Sequence, residues 1–259
     1  MEVSIKNWIV FFEDIGRRCY YESSLKPTWE KYEYGKEPWQ ALILFLGGYA
    51  FERQGRNPSY PHAAVDTMKE YKDDLNEKKI WKSFREKLEG DGISLNEKLC
   101  PLYPKDHKSV LARLNGRNIV TLVGEEMKND EVEKAFDFMK SIRGIGPKIA
   151  SFFLRDVKEV LDITPKDKRW LLQPIDIWVL RTVNRLSNKL LDVNRDTDRE
   201  EAAKFIVDNS NNPELVNMGM WVFGARVCDS EYRHIKYLRD FEMAKMELRN
   251  YLKEQNIKN

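Results

Sequence analysis

The sequence predicts an all-α protein, and three observations carry that reading. Apolar residues recur at helical spacing along most of the chain. Strand signals are sparse, and no Asn-Gly or Asp-Gly pair lies between alternating apolar runs. Asp91-Gly92 and Asn115-Gly116 instead follow helical patterns and read as helix ends or loops.

The first pattern, over 3–15, is rich in aromatic and branched residues. Tyr34 to Pro38 separates it from a second helical stretch at 37–53, where Gly47-Gly48 marks a kink or a close helix contact. Helices follow at 61–72 and 75–88, then a turn from Leu99 to Pro104, then helices at 106–115 and 118–127. The stretch 131–141 puts Val132, Ala135, Phe136 and Met139 on one face. The stretch 147–157 does the same with Ile149, Phe152, Phe153 and Val157. Asp162 to Pro174 is the clearest connector, with Lys166, Lys168 and Arg169 between its two prolines. Helices are expected at 176–188, 198–209 and 213–227. A last long one over 229–254 would bury Ile235, Leu238, Phe241, Met246 and Leu248. No repeat and no low-complexity tract interrupts the series.

Composition narrows the function classes. A chain of 259 residues with 42% hydrophobic and 33% charged residues can bury a substantial core. Its net charge of +2 argues against coating nucleic acid broadly, so any nucleic-acid contact needs a local patch. Cys19, Cys100 and Cys228 are widely spaced, with no C-x-x-C pair, which argues against a zinc knuckle or a four-cysteine iron–sulfur site. A reducing, intracellular setting is expected. The run Trp8–Phe12 ends at Glu13, too short for a signal-peptide core, and Ala41 to Phe51 covers about half a membrane span. No membrane association is expected. His62, His107 and His234 are isolated, and no metal ligand set is assigned.

The most informative stretch is Ile142 to Ala150, Ile-Arg-Gly-Ile-Gly-Pro-Lys-Ile-Ala. Gly144 and Gly146 flank one apolar residue between two helical patterns. Glycine permits the positive φ of a tight turn and the close approach of another backbone. Pro147 suits the first turn of the second helix. The unbonded N–H groups of that helix start form a natural phosphate site, with Gly144, Ile145 and Gly146 as the backbone-contact candidates. Together these features look like a helix-hairpin-helix that grips a DNA backbone. Lys148 by itself reads as a phosphate contact. Asp176, following Pro174-Ile175 and opening a helical pattern, by itself reads as a simple N-cap.

Together these pieces resemble the helix-hairpin-helix-GPD superfamily of DNA glycosylases. Its mark is Leu-Pro-Gly-Val-Gly-x-Lys-x-Ala, followed by a Pro-x-Asp that opens another helix. Ile142, Gly144, Ile145, Gly146, Lys148 and Ala150 meet the first part, and Pro174 and Asp176 the second. Arg143 stands where the family often has proline. The resemblance covers about 131 to 186.

The resemblance implies a fold and a chemistry. One helical domain, 30–158, would contain six helices and end with the hairpin. Residues 1–29 and 159–259 would form the other and bring the aspartate, with the active site in the cleft between them. Lysine at position 148 marks the bifunctional members, which are glycosylase and AP lyase together. Lys148 would then attack C1′ of a flipped-out nucleotide as a neutral amine, giving a Schiff base and a nick by β-elimination. Asp176 would stabilise positive charge developing on the sugar. The partner would be double-stranded DNA containing a damaged base, and the protein would act as a monomer. No cofactor is implied beyond a structural sodium or potassium ion at the hairpin carbonyls, which family members often hold.

Without the cysteine cluster, the iron–sulfur branch is set aside. The remaining lysine-bearing branches favour 8-oxoguanine. The interval from Lys148 to Asp176 and the run Trp221-Val222-Phe223-Gly224 are similar to the archaeal 8-oxoguanine glycosylases. Gln40 and Trp221 are the candidates for the base pocket. Lys166, Lys168, Arg169, Arg181 and Arg185 would extend a positive track for DNA or else serve as solvated charge. Two other readings stay open: a glycosylase of the same fold acting on an alkylated base, a mismatch or uracil, and a non-catalytic DNA-binding module.

Overall fold

The computed structural model describes residues 4–51 and 57–257, and among these all regular structure is helical. The chain divides into two compact units, Thr28–Lys168 and the combination of Met1–Pro27 with Arg169–Asn259. The second cut falls after Lys168 rather than at 158. Residues 159–168 belong with the middle unit because Leu161 and Ile163 pack over Gly124. The Lys166 N–H also donates to Asp130 at 2.7 Å, and Lys168 pairs with Glu133.

The discontinuous unit begins with α1 (Ile5–Gly16), whose N-cap Ser4 accepts the Asn7 N–H. Its buried face carries Trp8, Ile9, Phe11, Phe12 and Ile15. The chain winds on through a π-helical segment, Arg17–Leu25, into α2 (Lys26–Lys31).

Besides the end of α2, which includes Trp29, the middle unit carries seven α-helices among its described residues, where six were expected. They are α3 (Pro38–Phe45), α4 (Ser59–Glu70), α5 (Glu77–Gly90), α6 (Val110–Leu114), α7 (Ile119–Lys128), α8 (Val132–Ser141) and α9 (Pro147–Val160). The interruption at Gly47-Gly48 is a π-helical turn, Leu46–Ala50, with Gly47 set against Val65. Gly92 (φ 69°) and the pair Asn115 (φ 47°) and Gly116 (φ 79°) end α5 and α6 in left-handed geometry, as their sequence suggests. Phe153 of α9 anchors the core, edge-on to Phe45 at 5.1 Å and stacked on Trp29 at 6.3 Å.

The discontinuous unit resumes with a short 3-10 turn, Arg169–Leu172. It continues through α10 (Ile177–Ser187), α11 (Asp196–Asn209), α12 (Pro213–Val222), a π-helical turn Phe223–Cys228, α13 (Glu231–Tyr237) and α14 (Phe241–Glu254). Its aromatic core joins Trp8 to Phe241 at 4.7 Å and Phe11 to Phe223 at 5.5 Å. The helices α1 and α12 meet backbone to backbone at two glycines. A Cβ on Gly16 would lie 1.9 Å from the Leu215 carbonyl oxygen, and one on Gly219 would lie 1.8 Å from that of Phe12.

The single helix expected over 229–254 does not form. The Asp240 side chain accepts the Met243 N–H and starts α14 afresh. The break changes the buried register: Leu238 and Leu248 are buried, while Ile235 and Met246 are exposed.

Candidate active site

The turn between α8 and α9 is built as its residue types require. Met139 and Phe136 anchor the end of α8, and Ile142 leaves it in extended conformation. Gly144 has φ 77°, and a Cβ there would lie 2.0 Å from the Leu99 carbonyl oxygen. Glycine is therefore needed twice over, for the left-handed conformation and for the close backbone. The Ile145 N–H donates to the Ile142 carbonyl at 3.1 Å, which closes the turn and buries the Ile145 side chain. That amide, a backbone-contact candidate, is therefore used inside the turn. Gly146 is the extended N-cap of α9 and Pro147 its first residue. The start of α9, with Gly146 as its N-cap, carries the positive end of the helix dipole, which favours an anion there.

Lys148 stands half-buried in the first turn of α9. Two turns further on, α9 is fixed by a buried cluster. Asp156 accepts the Tyr49 hydroxyl and the Arg155 Nε–H, both at 2.8 Å. Tyr49 reaches it from the π-helical turn at Gly47-Gly48, so that irregularity anchors the helix that carries Lys148.

Asp176 is the N-cap of α10. Its Oδ1 accepts the N–H groups of Trp178 at 2.9 Å and Val179 at 3.0 Å. The approach to it is pinned by α12. Glu214, fully buried in the first turn of α12, receives Arg169 Nη2 at 2.7 Å and Gln173 Nε2 at 3.2 Å. The Asn217 side chain donates to the Pro174 carbonyl at 3.2 Å. Glu214 and Asn217 position the aspartate's segment and were not singled out from the sequence. Their only sequence signal is an acidic residue behind Pro213 at a helix start.

Lys148, Gly144, Ile145, Gly146 and Gln40 belong to the middle unit, and Asp176 and Trp221 to the discontinuous one. Gln40 has a local task that the sequence reading did not give it. Its Oε1 accepts the Glu37 N–H at 2.9 Å and completes the capping box of α3. Trp221 is half-buried, edge-on to Tyr20 at 6.0 Å, with the Arg226 guanidinium 5.1 Å from its ring. Three of the cations proposed for a positive track are engaged inside the protein: Lys168 with Glu133, Arg169 with Glu214, and Arg181 with Glu231 at 2.7 Å. Burial pushes the Cys100 and Cys228 thiols up to about 12 and Cys19 to about 11, which leaves them poor nucleophiles. Among the described residues no group of His, Cys, Asp or Glu gathers to hold a metal ion.

Behind Trp178, His234 is fully buried with its Nε2 3.1 Å from the Thr182 hydroxyl and its Nδ1 unpartnered. Burial, reinforced by Arg181, holds its pKa down to about 4. A depressed histidine pKa favours the neutral folded form. Its contribution is complete above the unfolded value near 6.5 and is lost as pH falls from there through 4. We expect about 3 kcal/mol of stability to disappear across that window. Urea unfolding of the wild type and His234→Gln between pH 7 and pH 4 checks this. The variant should have the shallower pH dependence, and parallel curves would contradict the assignment.

Comparison with protein-family models, curated proteins and solved structures returns no match.

Proposed function

We propose that the protein is a base-excision-repair DNA glycosylase with AP lyase activity. In this reading it excises an oxidised purine, with 8-oxoguanine as the leading substrate. The observation that carries the reading is the pairing of two local structures. A lysine stands in the first turn of a helix entered through a glycine-dependent turn. An aspartate caps a second helix behind a pinned Pro174-Ile175. Both local structures support the reading, and buried contacts fix α9 at Asp156 and the segment that leads to Asp176.

The chemistry follows from the two groups. The neutral Lys148 amine attacks C1′ of the extruded nucleotide. The N-glycosidic bond breaks, and its electron pair leaves with the base, which takes up a proton. Opening of the sugar ring gives an iminium at Lys148. Loss of the C2′ proton then expels the 3′ phosphate and nicks the strand. The Asp176 carboxylate faces the positive charge that develops on the sugar and lowers the barrier electrostatically. This requires the Lys148 amine and the Asp176 carboxylate to act on one nucleotide. A sodium or potassium ion at the turn is compatible with the Ile142 carbonyl, which accepts one hydrogen bond and keeps a second lone pair. No step runs through such an ion.

One observation favours a non-catalytic DNA-binding module instead. The two N–H bonds to Asp176 Oδ1 suffice to explain an aspartate there. A panel of duplexes separates the readings, each carrying one 8-oxoguanine, uracil, alkylated purine, mismatch or abasic site. We expect release of 8-oxoguanine and a nick at that position. Excision of a different base would move the substrate and leave the enzyme class intact. Failure to release any base or cut the abasic site would overturn the proposal.

A further inference from the structure

Beside the turn of α8 and α9 lies an open groove of about 400 Å³ within the middle unit. Five cations line it: Lys98, Lys108, Arg113, Lys140 and Arg143. No carboxylate does. That is a strong local bias in a chain with 44 basic and 42 acidic residues. Two further grooves mix signs, with Glu126, Glu133 and Asp137 beside Arg117 and Lys134 in one, and Asp240 and Glu242 beside Arg185 and Arg239 in another.

The bias is built in by the fold. The Arg143 N–H donates to the Lys108 carbonyl at 2.7 Å. Its guanidinium bonds the Lys105 carbonyl and lies 5.3 Å from the Tyr103 ring. The turn is thereby stitched to the 98–113 segment, and the cations of both are gathered in one place. Compensation within the protein is thin. Arg143 has Asp106 at 3.5 Å and Lys140 has Asp137 at 3.3 Å, both through well-exposed carboxylates that contribute little. Among the described residues Lys98, Lys108 and Arg113 make no ion pair. The Nε–H groups of Arg113 and Arg143 are buried without an acceptor. Holding such groups in a groove wall costs free energy, which an anion in the groove would offset through its field.

We infer that this groove is a phosphodiester subsite that seats the DNA backbone beside the turn, apart from the amides at the α9 start. The inference rests on the DNA-binding half of the proposed function and is independent of its chemistry. A single-stranded or duplex backbone supplies a fixed phosphate to such a groove, and inorganic phosphate supplies a free one.

The test uses the full chain with Lys98→Ala/Lys108→Ala, and with Lys189→Ala/Lys204→Ala as a charge-matched control. Lys189 pairs with Glu201 and Lys204 with Glu200, both in the other unit. Affinity for an undamaged duplex and for an abasic-analogue duplex is measured across a salt series, with thermal melting to confirm folding. We expect the double variant to lose about tenfold or more in affinity for both duplexes and to flatten the log K against log salt slope by about two, one for each lysine. The control should change neither. Unchanged affinity and slope in a folded double variant would overturn the inference. It would also fail if inorganic phosphate raised the melting temperature of the wild type alone while DNA binding was the same in both proteins. A wild type that shows the expected difference yet excises no base would keep the groove and lose the enzyme reading.

Discussion

Gly219→Ala is expected to destabilise the discontinuous unit by about 3 kcal/mol or more, at the top of the range for overpacking. The new methyl would lie 1.8 Å from the Phe12 carbonyl oxygen, 2.7 Å from its carbon and 2.9 Å from the Gly16 nitrogen. All three are backbone atoms of α1 or its end, so no side chain can rotate away. Relief requires α1 and α12 to move apart and to open the packing of Phe12 and Phe223. The damage should reach the site, because α12 also carries Glu214 and Asn217. Gly90→Ala is the control. It ends α5 with nothing within 4 Å of the added carbon, and alanine there should be neutral or stabilising by up to about 1 kcal/mol. Denaturant unfolding of the two variants reads the difference. Equal stabilities would refute the backbone-to-backbone packing.

The second large effect separates capping from catalysis at Asp176. Asparagine is about as good an N-cap as aspartate, so Asp176→Asn should keep the bonds to Trp178 and Val179 and unfold within about 0.5 kcal/mol of the wild type. It removes the negative charge. If that charge stabilises the developing cation on the sugar, the single-turnover rate of base release should fall by about 10²–10³-fold. DNA affinity should hold. Asp176→Ala, which loses the cap as well, should also cost about 1 kcal/mol of stability. A full rate in a well-folded Asp176→Asn protein would reduce Asp176 to its capping role.

What the sequence made legible was local. Helical spacing, the left-handed ends at Asn115 and Gly116, the turn at Gly144 and the cap at Asp176 all depend on residues a few positions apart. The α13–α14 break stayed hidden because no Gly or Pro marks it. An aspartate that can cap a helix reads equally well inside a long one. The π-helical turns at 17–25, 46–50 and 223–228 keep nearly the same apolar spacing as an α-helix, so only Gly47-Gly48 gave one away. The long-range ties were invisible in principle. Nothing near Gln173 announces Glu214, and nothing near Arg143 announces Lys98 and Arg113. The connector cations show the converse error. Arg169 looked like a surface charge for DNA, yet it compensates a buried carboxylate.

Borohydride reduction of the wild-type protein mixed with an 8-oxoguanine duplex, followed by proteolysis and mass spectrometry of the linked peptide, bears most directly on Lys148 as the nucleophile. The expected result is one adduct, on Lys148, that disappears in a folded Lys148→Ala variant still able to bind the duplex. An adduct on another lysine, or no adduct from wild-type protein bound to that duplex, would contradict it.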